Sequence, residues 1–391
     1  MNRNLWLLIA AQGLFLTNNV TFIAINGLVG LALAPVGWMA TLPVMGYVIG
    51  GAMSTGLVAR SQSRLGRKAS FQIGLAVAVF SSLLSAWATL NQDFWLLVAG
   101  TVIAGYYSAN AQLYRFAAAE LALPAFREKA VSLVLAGGIA GAILGPALAI
   151  HARHLLAVPF AGAYLALAAV ALLSMLFMAG ITFPPVVARS AGGGGRPLRE
   201  IMRQPIFIVS VAAASLGYGV MNLLMSATPL AMQHFGHPFE AAALVVEWHV
   251  IAMFAPGFFT GHLIRRFGVM PILWVGVVLN VACIALALSG VDVMHFLAAL
   301  MLLGVGWNFL FTGGTTLALQ SSRPEEKDRA QAAINFCVFA IMALSSFAAG
   351  ALVTTKGWSL LNWGSLVPVA MVALTLVWYA RQQRMMPAAA S

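Results

Sequence analysis

The sequence predicts an all-α polytopic membrane protein, with twelve transmembrane helices arranged as two six-helix halves. Three observations carry that reading. Of the 391 residues, 61% are hydrophobic and 8% charged, giving a mean hydropathy of +0.92, far outside the range of soluble domains. Apolar runs of about 20 residues, the length a helix needs to cross some 30 Å of hydrocarbon, recur from end to end. The polar junctions of the first half reappear in the second. Barrel strands are excluded, because they would alternate over about 10 residues, and the bilayer interior admits no other backbone arrangement than helix or closed barrel.

The predicted spans run 5–28, 37–59, 70–90, 94–116, 130–150 and 158–181, then 206–233, 240–264, 271–289, 293–318, 330–355 and 359–380. The first begins just after Arg3 and continues well past a signal-peptide core, so it stays as a helix. The second and third flank the junction Ser63-Arg64-Leu65-Gly66-Arg67-Lys68, and Arg265-Arg266-Phe267-Gly268 repeats it after the eighth. The connection Pro124…Arg127-Glu128-Lys129-Ala130 after the fourth span returns as Pro324…Lys327-Asp328-Arg329-Ala330 after the tenth. Span five carries Gly137, Gly141, Gly145 and Pro146. Small residues one turn apart let helices approach closely, and proline can kink the rod. Residues 182–205 hold the glycine run 192–195 and Arg189, Arg196, Arg199 and Arg203. They read as a flexible cytoplasmic linker between an N-terminal half, 1–181, and a C-terminal half, 206–391.

The formal charge of +11 is an orientation signal. With the N-terminus in the cytoplasm, all of the 21 Lys and Arg residues except Arg153 and Lys356 fall at cytoplasmic ends, the pattern of a helical inner-membrane protein. Both termini are then cytoplasmic, the bilayer is the partner, and nucleic acid is excluded. Five histidines (His151, His154, His234, His237, His295) gather at the other face, where they read as loop polar groups or as collectors of metal. Cys283 and Cys337 sit in separate apolar runs and suggest neither a disulfide nor a zinc site. No nucleophile triad or paired carboxylates appear, and the glycine run lacks the lysine and helix of a phosphate loop. The chain is therefore not read as an enzyme, no cofactor is implied, and because one chain holds both halves a monomer suffices.

The candidate site lies on spans seven and eight. Met221 and Met225 are four residues apart, as are His249 and Met253, so each pair shares a helix face. At about 1.5 Å per residue all four fall roughly 12–20 Å from the external surface, near mid-membrane. Three thioethers and an imidazole form a soft, thiolate-free set suited to reversible binding of copper(I) and unsuited to magnesium or calcium. Methionine is also a common apolar filler. Glu247, two residues before His249, is a candidate for proton coupling, since buried carboxylates mark ion pathways. In the first half, Tyr106 and Asn110 on span four are candidates for cavity lining; Gln112, Arg115, Asn18, Asn19 and Asn26 are nearby polar groups that can equally be interhelical hydrogen bonds.

With its repeated basic junctions, the whole chain resembles the major facilitator superfamily, whose loop signature D-R-x-G-R-K is matched except that Ser63 and Arg265 replace the acid. The resemblance implies alternating access about a mid-membrane site between the halves. More narrowly, the Met-x-x-x-Met and His-x-x-x-Met pairs resemble the CcoA-type copper importers, which implies copper as the transported substrate, bound by Met221, Met225, His249 and Met253. The same group is associated with riboflavin, so an organic solute such as riboflavin or a drug is the alternative cargo, for which the methionines would be wall material.

Overall fold

In the computed structural model, whose described residues are 3–123, 127–183, 196–323 and 326–385, every regular element is helical. Helix α1 (Arg3–Leu33) is followed by α2 (Leu42–Leu90), α3 (Phe94–Ala111), α4 (Tyr114–Leu121), α5 (Arg127–Ala152) and α6 (Ala161–Ala179). The second half holds α7 (Leu198–Met202), α8 (Pro205–Val211), α9 (Gly217–His234), α10 (Phe239–Phe254), α11 (Gly257–Phe267), α12 (Val269–Ser289), α13 (Val293–Ser321), α14 (Lys327–Thr355) and α15 (Gly357–Met385).

By length and composition, eight helices among the described residues can cross a membrane, or nine when α10 and α11, bent by 41°, count as one. Helix α2 is counted once there, yet its 49 residues would stretch to roughly 74 Å as a straight rod, more than twice a hydrocarbon core. It turns back at Gly66, where φ is 81° and ψ 168°. Gly268, the matching glycine of the second half, has φ 85° and ψ 164° between α11 and α12. A side chain would be strained at either point, so the repeat noticed in sequence is a repeated backbone device. The two rods of α2, together with α3 and α5, complete the twelve crossings in two halves.

Within the first half α1 packs on α5, and α2 on α3 and α6; within the second α12 and α10 pack on α13, and α9 on α14. Across the halves, α5 meets α10 and α14 meets α2. The α1–α5 contact is close because both faces are bare of side chain: a Cβ on Gly141 would stand 2.5 Å from the Gly13 carbonyl oxygen.

Beyond apolar packing of α1 and α5 on the second half, hydrogen bonds and ring contacts tie the halves at the end opposite the arginine-rich junctions. Thr41 donates from Oγ1 to the Ser346 carbonyl (2.6 Å) and accepts from the Gly350 N–H (3.0 Å). Trp38 meets Phe347 edge-on at 5.8 Å, and Phe160 meets Phe239 at 5.0 Å. The Arg153 guanidinium lies 5.2 Å from the Phe160 ring and 5.3 Å from the Phe239 ring, and 3.8 Å from the Glu240 carboxylate.

Most of the predicted linker, residues 184–195 with the glycine run and Arg189, lies outside the described residues, as do Pro124 and Pro324 of the repeated connections. Its last residues are anchored. The fully enclosed carboxylate of Glu326 accepts from the Arg196 backbone N–H (2.8 Å), Nε (3.0 Å) and Nη2 (2.8 Å), and from the Arg323 N–H (3.0 Å). The Arg196 side chain, then the backbone donors, hold the Glu326 carboxyl well below the usual carboxylate range. A depressed carboxyl stabilises the fold fully above its ordinary value, near 4.3, and loses that contribution only as pH falls toward the depressed native value. Glu326→Gln should thus lower the melting temperature equally at pH about 6 and about 8. A difference that vanishes already near pH 6 would refute the arrangement.

Candidate functional site

Between the halves lies a cavity of about 280 Å³, near the lower end of the ~300–1,000 Å³ usual for small-molecule sites. Helices α1, α2, α3 and α4 form one wall, and α9, α10, α13 and α14 the other.

Local irregularities aim the lining residues. The seventh span is not one regular rod: α8 passes into a π-helical turn, Ala212–Leu216, before α9 begins at Gly217. Such a turn accommodates an extra residue and re-phases the helix beyond it; here it precedes Tyr218, Met221, Asn222 and Met225, all on the cavity wall. It is built from alanines where α13 crosses closely, since a Cβ on Gly314 would stand 2.9 Å from the Ala214 nitrogen. Opposite, α3 ends at Ala111 and α4 starts at Tyr114; Gln112 at that break and Arg115 just beyond it line the cavity.

The second-half wall is aromatic. Trp307 and Phe311, one turn apart on α13, stack with centroids 5.2 Å apart and planes inclined by 9°. Tyr218 meets both edge-on, at 5.3 Å and 5.4 Å, and Phe254 meets Trp307 at 6.1 Å. The first-half wall carries the polar groups Gln12, Asn19, Tyr47, Ser108, Gln112 and Arg115 among apolar residues such as Phe15, Val20, Val44 and Val48. Asn19 Nδ2 donates to the Tyr47 hydroxyl at 2.9 Å. Asn222 faces the cavity while donating to the Ser345 and Ser346 hydroxyls at 2.9 Å and 2.8 Å, which fastens α9 to α14. Arg115 is charged, and among the described residues no Asp, Glu, His or Lys joins it in this lining.

The structure separates the residues singled out in sequence. Met221, Met225 and Met253 line the cavity; His249 does not. The His249 ring is fully buried, and its Nδ1 donates to the Leu300 carbonyl of α13 at 2.7 Å, leaving Nε2 without a described partner. Residues four apart are offset by about 40° around a helix, and that offset turns Met253 to the cavity while His249 packs on α13. Among the described residues, no three His, Cys, Asp or Glu side chains group as a metal site. Of the histidines at the end away from the arginine-rich junctions, His151 bonds to the Ala147 carbonyl and His237 to the Val291 carbonyl, both at 2.7 Å.

Glu247 is partly buried on α10, does not line the cavity, and makes no hydrogen bond or ion pair among the described residues. Asn110 sits behind the wall: its Nδ2 donates to the Ser70 carbonyl at 2.9 Å and its Oδ1 accepts from Gln62 at 3.4 Å, pinning α3 to α2. Tyr106, half-buried, is likewise absent from the lining. Asn18 bonds to the Leu167 carbonyl, and Asn26 to the Phe22 carbonyl and the Tyr164 hydroxyl.

The sequence profile of the Major Facilitator Superfamily matches residues 5–344 and 221–389. The chain is 38% identical over 378 residues to the riboflavin transporter RfnT of Brucella anthropi, an alignment spanning 96% of this chain and 95% of that protein. In fold it is similar to the D-xylose-proton symporter, with a TM-score of 0.72, 17% identity and 96% of each chain covered. It is also similar to the POT family transporter PepTSo, with a TM-score of 0.77, 11% identity and 99% of each chain covered. The riboflavin relative overturns copper as the expected cargo and partner. In the structure the His249 imidazole is turned into the α10–α13 contact, apart from the three methionines that line the cavity.

Proposed function

The chain belongs to the major facilitator superfamily, and from that premise we propose that it carries a planar organic solute, with riboflavin as the first candidate, across the inner membrane by alternating access. The supporting observation is the composition of the central cavity: a stacked Trp307–Phe311 platform with Tyr218 at its edge, facing a wall of Asn, Gln, Tyr and Arg side chains. Aromatic faces hold a flat ring without regard to orientation, and a few polar groups then choose its edge. The RfnT similarity supplies the name of the solute. The distribution of Lys and Arg supports cytoplasmic termini, with the Thr41–Ser346 and Arg153–Glu240 contacts toward the outer surface.

The test is riboflavin uptake by cells that cannot make it. Abundance would be read from a C-terminal reporter that fluoresces only in the cytoplasm, so the same cells check the orientation. Uptake above background is expected, and its absence with the reporter lit would refute the proposal. The methionines serve here as wall, so Met221→Leu with Met225→Leu conserves volume and should leave uptake within about twofold. A severe loss would require sulfur to do more than fill space.

A further inference from the structure

Arg115 is a charge without a counter-charge. It lines the central cavity from α4, yet among the described residues its guanidinium has no hydrogen-bond or ion-pair partner, and its Nε is shut from solvent. Its described neighbours are the ring of Phe116, 4.9 Å away, and Tyr218 of the opposite half, a phenol that brings no counter-charge. The acid nearest along α4, Glu120, is already engaged: Arg67 donates to it from Nε at 3.1 Å and from Nη2 at 2.6 Å. Among the described residues no carboxylate lines the cavity. A cation held in an apolar membrane protein without compensation is costly, and guanidinium offers only donors, arranged as a planar fork. The missing partner is therefore an acceptor that arrives with the ligand. Across the cavity stands the Tyr218–Trp307–Phe311 aromatic wall, so the same ligand can present a flat face to one half and an edge to the other.

We propose that Arg115 selects the solute: the cavity takes planar molecules whose edge carries hydrogen-bond acceptors, an imide-type dione or a carboxylate, and discriminates against planar cations. The inference rests on the reading of the cavity as a planar-solute site, but not on riboflavin being that solute. Binding of such a molecule joins the halves, with its ring on α13 and its acceptor edge on α4.

The experiment uses the full chain in lipid nanodiscs and measures binding of three probes. Riboflavin is a neutral dione, anthraquinone-2-carboxylate an anion, and proflavine a planar cation without carbonyls. Riboflavin, the carboxylate or both should bind, with proflavine at least tenfold weaker. Arg115→Gln should weaken the acceptor-bearing probes about ten- to a hundredfold, the worth of a charge-assisted hydrogen bond, without weakening proflavine. Arg115→Lys should recover more of the carboxylate than of the dione, because a point charge replaces the fork. A melting temperature for each variant separates lost binding from lost folding, and should Arg115→Gln not fold, Arg115→Lys alone decides by its unequal recovery. If the carboxylate binds through Arg115 and riboflavin does not, the riboflavin reading falls and this inference stands. Proflavine binding as tightly as the others, wild-type affinity in both variants, or no binding by any probe would overturn it.

Discussion

Trp307→Ala should reduce riboflavin affinity by about 5- to 150-fold, the equivalent of the roughly 1–3 kcal/mol that an aromatic platform contributes to holding a flat base. The side chain is placed for this. It stacks on Phe311 at 5.2 Å and meets Tyr218 and Phe254 in T-shaped contacts, so its plane is set before any ligand arrives and little ordering remains to be done on binding. Quenching of flavin fluorescence on addition of the full chain measures the affinity directly. Trp307→Phe keeps a face of similar orientation and should retain most of the binding. Equal affinity in wild type and the alanine variant would remove the platform from the site, and with it the principal support for a planar cargo.

Gly141→Leu should nearly abolish folded protein in the membrane, and Gly141→Ala should give a milder form of the same defect. The atoms a new Cβ would strike are backbone: the Gly13 carbonyl oxygen at 2.5 Å and the Thr17 nitrogen at 2.6 Å. Backbone cannot swing aside as a side-chain tip can, so α1 and α5 must separate, and overpacking of this kind costs about 1–3 kcal/mol or more. The loss would extend beyond that pair, because α5 also packs across the halves on α10. Gly56→Ala is the control, since no atom lies within 4 Å of its added Cβ. Detergent-resistant monomer measured by size-exclusion chromatography should fall for the Gly141 variants and hold for Gly56→Ala. Wild-type yields for Gly141→Leu would show the contact to be compliant.

The fold was legible because the bilayer enforces it residue by residue. Apolar length marked each crossing, and Gly66 and Gly268 marked the reversals, since φ values of 81° and 85° leave their trace as glycine in any sequence. The site was half legible. The spacing Met221–Met225 correctly put two residues on the cavity face, but spacing specifies a face and not what the face meets. His249 and Met253 share a side of α10 to within a fraction of a turn, and that fraction separates the α13 contact from the cavity. Asn110 illustrates the same limit: a polar residue within a span signals a buried partner, and here the partner is the Ser70 carbonyl. Trp307 and Phe311 stand at the same four-residue step as the methionine pair, and a search for ligating heteroatoms passes over them. Arg115 was visible as a letter; that it lacks a counter-ion depends on Arg67 having taken Glu120, which only three dimensions reveal.

The π turn at Ala212–Leu216 is the place where the seventh span could lose a residue and keep its lining. The wider turn takes up one residue more than an α-helical turn does, so removing one would let the segment close into ordinary α-helix with Tyr218, Met221 and Met225 still on the cavity face. Tightening the turn to α-helix without a deletion would instead advance everything after it by one residue, about 100°, and carry those side chains off the wall. The seventh span is therefore tolerant of one missing letter here, and a descendant that lost it would inherit the fold with the same lining.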